Sequence, residues 1–158
     1  MDQTVFQAIH FADNYLRRNS AIRPSFMRII YCIALEVAIK MNEQMILSLE
    51  DIVQLFEGRF QLSMLTMLEK HIIQLNNFNL NPVSPLDFCM HFVEMERELW
   101  THTCQESPRA PSVDPDILFD NCVPIFHFAL SQYDLSRKRY SSLAIAAVCH
   151  VIQDVYND

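Results

Sequence analysis

The chain has 158 residues, 51% hydrophobic and 20% charged, with a formal net charge of −7. That composition supports a buried core and excludes a disordered chain. The acidic balance excludes a partner held through a phosphate backbone, which requires a basic stripe, so no nucleic acid is expected. A single glycine, Gly58, argues against an all-β fold, whose tight turns need positive φ, while eight Met and many Leu, Ile and Ala favour packed helices.

In chain order, Phe6, Ile9, Ala12 and Leu16 recur at helical spacing over 5–18. After a polar link, Pro24 suits the first turn of a second helix. To about residue 41 that helix is apolar on nearly every face (Met27, Ile29, Ile30, Ile33, Ala34, Val37, Ala38), the mark of a central, buried element. Ser48 with Asp51 forms a variant capping box opening a short helix through Phe56, with Gly58 at its stop. Leu65, Leu68, Ile72 and Leu75 share one face of a helix over 62–75. After an Asn/Pro joint, Ser84, Pro85 and Asp87 combine a cap, a first-turn Pro and a first-turn acid, starting a helix that reaches about residue 101. Residues 105–113 read as a loop. Asp114-Pro115-Asp116 starts a helix to about residue 131, and Leu143, Ala144, Ala147, Val148 and Val151 mark a last one over 140–155. The expectation is seven helices and no strands. A helix, a polar link and an Ala-rich buried helix occur at 5–41 and again at 116–155, a faint internal repeat.

The five cysteines, Cys32, Cys89, Cys104, Cys122 and Cys149, form an odd set without a C-x-x-C pair, which reads as a reducing compartment. With no N-terminal signal pattern and no run of about 18 apolar residues, the expectation is an intracellular protein, cytoplasmic or nuclear, without a membrane partner. Arg17, Arg18, Arg23 and Arg28 gather near one another, either as a solvated helix end and loop or as a docking patch for an acidic partner. Asp13 and Arg17 are spaced for an ion pair. One glycine leaves no room for a phosphate-binding loop or a nucleophile elbow. His91 and Glu94, a turn apart, read as a hydrogen-bonded pair, and His150 beside Cys149 on an apolar helix reads as core. No metal, no cofactor and no enzyme activity are expected.

Four pieces carry a family resemblance. Phe11-Ala-Asp-Asn-Tyr-Leu16 resembles the second helix of a cyclin box, and Ile33-Ala-Leu-Glu-Val-Ala-Ile-Lys40 its buried third helix. Leu68-Glu-Lys-His-Ile-Ile-Gln-Leu-Asn-Asn-Phe-Asn-Leu80 is similar to the fifth, and Asn81-Pro-Val-Ser-Pro-Leu-Asp-Phe88 to the joint between the two cyclin repeats. The resemblance implies an all-α, cyclin-like helical bundle with one nearly complete repeat (1–83, without its first helix) and a partial second repeat (84–158). It implies a regulatory subunit that binds and activates a cyclin-dependent-type protein kinase by positioning the kinase's regulatory helix. The alternative is a degenerate cyclin-fold scaffold within a larger complex, bound to some other protein subunit. Lys40 and Glu69 match the family's principal kinase contacts. Ile73, Phe78 and Leu80 match apolar contact positions, and Met41 stands where an aromatic is usual. The absent pieces of the pattern imply an apolar surface that a partner covers.

Overall fold

The computed structural model describes residues 2–19, 21–45, 47–103 and 114–157, with side chains throughout except at 99–103, 133 and 155–157. Among the described residues the chain is all-α, and it divides into two compact units, Met1–Pro82 and Val83–Asp158.

The first unit is built around one helix. α1 (Asp2–Arg18), α3 (Leu49–Leu55) and α4 (Leu62–Leu75) all pack on α2 (Pro24–Asn42). α2 starts where Pro24 supplies a helical φ at a position whose N–H has no helical acceptor. Its Ile29, Ile30, Ile33, Ala34, Val37 and Ala38 are buried, while Phe26, Met27, Tyr31 and Leu35 keep one apolar face exposed, so the helix is central but not buried all round as its pattern predicts. Phe11 and Ala12 of α1, Ile52 of α3, and Leu65 and Ile72 of α4 complete one contiguous core. Burying each of the larger side chains stabilises the unit by about 1.5–3 kcal/mol before chain entropy is charged against it. The buried stripe of α1 is Thr4, Phe6, Gln7, Ala8, Phe11 and Ala12, rotated from the predicted one because Gln7 enters the interior through side-chain hydrogen bonds.

Turn chemistry ends α3 and α4 in one manner. At the start of α3, Ser48 Oγ accepts from the Asp51 N–H (3.1 Å) while Asp51 Oδ2 accepts from the Ser48 N–H (3.0 Å), a reciprocal cap. α3 stops one residue before the sequence-based expectation, with Phe56 as its cap, and the chain turns through Glu57 (φ 54°) and Gly58 (φ 70°). α4 stops at Leu75, and Asn77 (φ 52°) and Phe78 (φ 57°) follow in the left-handed region.

The second unit comprises α5 (Pro85–Thr103), α6 (Pro115–Ser131), α7 (Tyr133–Ser136) and α8 (Tyr140–Asn157). α5, α6 and α8 pack on one another through Leu86, Cys89 and Val93, Leu118, Cys122, Phe126 and Ala129, and Ala144, Ala147, Val148 and Val151. α7 was not expected, because four residues are too short to register as a period. The 105–113 loop and Cys104 lie outside the described residues.

Three local expectations are corrected. Cys149 and His150 are exposed, not core: Ala144, Ala147, Val148 and Val151 fix the buried face of α8, and residues 149 and 150 fall on the other side, where His150 approaches Asp154 at 3.6 Å. Glu94 pairs with Arg97 one turn on, not with His91. Asp13 accepts a hydrogen bond from the Tyr31 hydroxyl (2.8 Å), and Arg17 donates to Asn14 (2.8 Å) instead of pairing with Asp13. Among the described residues, no helix is long and apolar enough to cross a membrane, and no three His, Cys, Asp or Glu converge as a metal site.

Candidate functional site

The C-terminal part of α2 lies beside α4, and Glu36, Lys40 and Glu69 meet there. Lys40, near the C-terminal end of α2, is where the helix dipole favours a cation. Its Nζ donates to Glu69 Oε1 on α4 at 2.8 Å and makes a second, closer contact with Glu36 Oε1 one turn earlier. Lys40 is 43% exposed and Glu69 19%, while the Glu36 side chain is fully buried. Lys40 is the charge that faces the buried Glu36 carboxylate, whose oxygens take no further hydrogen bond among the described residues.

The ionisation of the three groups follows from this placement. Burial pushes the Glu36 carboxyl above the usual range, with the Glu69 charge adding to that shift and Lys40 opposing it. For Lys40, partial desolvation pulls downward, but the hydrogen bonds and charges of Glu36 and Glu69 together outweigh it, and the ammonium is held above its ordinary value. The two partners thus disagree about the worth of their contact. Desolvation dominates Glu36, and the two carboxylates together dominate Lys40. Sequence reasoning missed Glu36. The signal available was a carboxylate inside an apolar run, four residues before a lysine.

The apolar positions lie around this charge cluster. Met41 follows Lys40 and is 50% exposed. Ile73 is one turn past Glu69 on α4 and packs on the core, as does Leu80. The Phe78 N–H bonds back to the Ile73 carbonyl (3.1 Å), closing the end of α4 and leaving the Phe78 ring 69% exposed. A bulky side chain at φ 57° is costly, about 1–2 kcal/mol. Asn77 tolerates the same region more readily.

An amide network holds this end of the unit together, and sequence reasoning did not find it. Gln7, almost wholly buried on α1, donates to Asn81 Oδ1 (3.0 Å) after α4 and accepts from Asn42 at the end of α2. Asn14 donates to the buried Asn76 Oδ1 (2.8 Å), and Asn76 donates to the Ile72 carbonyl (2.8 Å). Thr4 donates to Glu43 Oε1 (2.6 Å), which holds the Glu43 carboxyl below its ordinary value. Five side-chain hydrogen bonds therefore fasten α1, the end of α2 and the strained turn after α4 around the ion cluster.

The first unit thus combines a buried central helix, a fastened rim and, at Lys40, Glu69, Met41 and Phe78, one cation, one half-buried carboxylate and two exposed apolar side chains. The family profile of the cyclin N-terminal domain matches residues 1–81. The chain belongs to the cyclin family. It is 28% identical over 96 residues to the G2/mitotic-specific cyclin cig2 of Schizosaccharomyces pombe, an alignment covering 61% of this chain. The alignment spans only 23% of that relative's length.

Proposed function

We propose that this chain is a cyclin-type regulatory subunit that binds a cyclin-dependent-type protein kinase and holds the kinase's regulatory helix in its active position. The observation that carries the reading is the Lys40–Glu69 pair at the edge of the buried helix, flanked by exposed Met41 and Phe78. An ammonium has three N–H donors, and Glu36 and Glu69 engage two. Lys40 is 43% exposed and Glu69 19%, and the pair's donor and acceptor suit the C=O and N–H of a partner's main chain. Phe78 and Met41 supply the desolvating apolar contact that such polar recognition needs, with Ile73 and Leu80 behind them. Activation by binding is a population shift: the module favours one of two positions of the partner's helix, and the kinase then meets the geometric requirement for phosphoryl transfer. The second unit is read as a partial second cyclin repeat.

The test is co-purification and kinase assay of the tagged chain with Glu69→Ala and with Lys40→Ala. Because Lys40 also neutralises Glu36, the lysine variant is made in a Glu36→Gln background, so that lost binding is not lost folding. Loss of a co-purifying active kinase with helix content unchanged supports the reading. Retention of the same partner by both variants rejects it in favour of a scaffold that uses other surfaces.

A further inference from the structure

On the far side of α4 from Glu69 lies a second surface. The end of α1, the first half of α2 and the outer face of α4 enclose an apolar cleft of about 700 Å³, within the size range of clefts that take ligands. Ile29 and Ile30 form its buried floor, and Phe26, Met64 and Met67 its accessible walls. Met67 is 73% exposed, an apolar side chain held in water. Unbranched thioethers adapt to irregular partners, as at surfaces that bind peptides.

The charge of the cleft is opposite to that of the chain. The net charge is −7, yet the cleft is lined by Arg23, Lys70 and His71 and, among the described residues, by no carboxylate. Its remaining ionisable group, the Tyr15 phenol, is kept protonated by burial and meets His71 edge-on, the ring centres 5.4 Å apart. Arg23 and Lys70 are exposed and have no ion-pair partner among the described residues. At about 100° per residue along a helix, Met67, His71 and Gln74 project away from Glu69, while Lys70 lies between the two faces, one turn before Ile73. A partner anchored at Met67 and His71 therefore meets a different face of α4 from a partner at Lys40–Glu69.

We propose that this cleft is a docking site for an acidic peptide segment of a partner protein, with apolar anchors seated between Phe26 and Met67 and carboxylates paired with Arg23 and Lys70. The cleft alone carries the inference, independently of the kinase reading. Two rim cations are too few for a nucleic-acid track, and a concave apolar floor with charge at its edge suits anchored side chains.

The experiment is selection of a displayed library of random short peptides on the intact chain, followed by fluorescence anisotropy with the leading peptide. The expected result is a consensus of Asp or Glu around two apolar positions. Its binding weakens at least about tenfold in Arg23→Glu/Lys70→Glu and in Met67→Asp, weakens with added salt, and is unchanged in Glu69→Ala. All three cleft positions are exposed, and circular dichroism checks that the variants fold. A neutral or basic consensus, no enrichment, or binding indifferent to the cleft variants overturns the proposal. So does self-association abolished by Met67→Asp, which would make a second copy the occupant.

Discussion

The two units solve the same packing problem with different materials. The first buries Phe11, Ile29, Ile33, Ile52, Leu65 and Ile72 completely, and with them the polar Thr4, Gln7, Glu36 and Asn76. The second closes on Cys89, Cys122, Ala144, Ala147 and Val148, with Leu118 and Phe126 as its largest fully buried residues, and among the described residues Ser84 is its buried polar group. Backbone strain divides the same way. Among the described residues, the non-glycine residues at positive φ, Glu57, Asn77 and Phe78, all belong to the first unit. Buried polar groups and strained backbone lower stability unless something else requires them. On the proposed function, specific recognition belongs to the first unit and support to the second.

The largest effect that would sharpen this contrast is in the cores. Ile33→Ala removes a fully buried branched side chain at the centre of α2 and should destabilise the first unit by about 2–5 kcal/mol. Val148→Ala on α8 removes less and should cost about 1–2 kcal/mol. Urea unfolding followed by circular dichroism ranks the two, and equal losses would break the contrast. A difference between the units in transition midpoint would add that they unfold separately.

Next in size is the buried carboxylate. Lys40→Met leaves Glu36 without its counter-charge and should cost about 1–3 kcal/mol, less than a fully buried pair because Lys40 is 43% exposed. The sign with pH follows from the upward shift of Glu36. A carboxyl raised in the folded state favours folding below its unfolded pKa, and that advantage is lost as pH rises through the folded value. Removing Lys40 raises Glu36 further, so the variant should regain stability as pH falls from neutral toward the ordinary glutamate range. Adding Glu36→Gln should abolish that gain. A pH-independent loss in Lys40→Met would show that Glu36 is neutral already and that the ion cluster is not one.

Much of this architecture was legible because it is local. Ser48, Ser84 and Asp114 announced helix starts, Gly58 a stop, and the all-apolar run of α2 its central place. Lys40 and Glu69 were legible through family resemblance, and their direct hydrogen bond is a tertiary fact that spacing alone does not give. The misread features are those decided across elements. Which face of α8 packs is set by α5 and α6, so His150 was misplaced. Gln7 is buried because Asn42 and Asn81 come to it from distant segments, and no period in α1 marks an amide for burial. Glu36 looked like one charge among apolar neighbours until Lys40 and α4 enclosed it.

The two units also share a device, which makes a controlled comparison. Ser84 and Asp87 repeat the reciprocal cap of Ser48 and Asp51: the Ser84 N–H donates to Asp87 Oδ2 (2.7 Å), and the Asp87 N–H donates to Ser84 Oγ (3.3 Å). Ser84 is buried and Ser48 half-buried. Replacing either by Ala should cost about 0.5–2 kcal/mol, with Ser84→Ala the more severe, because water reaches its orphaned groups less well. The reverse order, measured by thermal unfolding, would mean that the short α3 depends on its cap more than the long α5 does.

The smallest effect is the most informative about purpose. Phe78→Gly removes a side chain that is 69% exposed and relieves a backbone held at φ 57°. Little packing is lost, while a left-handed residue without Cβ is unstrained, so the chain should become more stable by up to about 1 kcal/mol. Greater flexibility of glycine in the unfolded chain offsets part of that gain. If the ring is there for a partner, the same variant should bind that partner more weakly, and stability and binding should move in opposite directions. A variant less stable than the parent would show that the ring packs on the first unit in solution and that the strain is compensated at home. A variant more stable and equally able to bind would leave the strain without a purpose, and the division of labour between the units would lose its clearest support. The opposed result is the expected one, because the Ile73 carbonyl and the amide network fix this turn so firmly that a cheaper residue would fit it better.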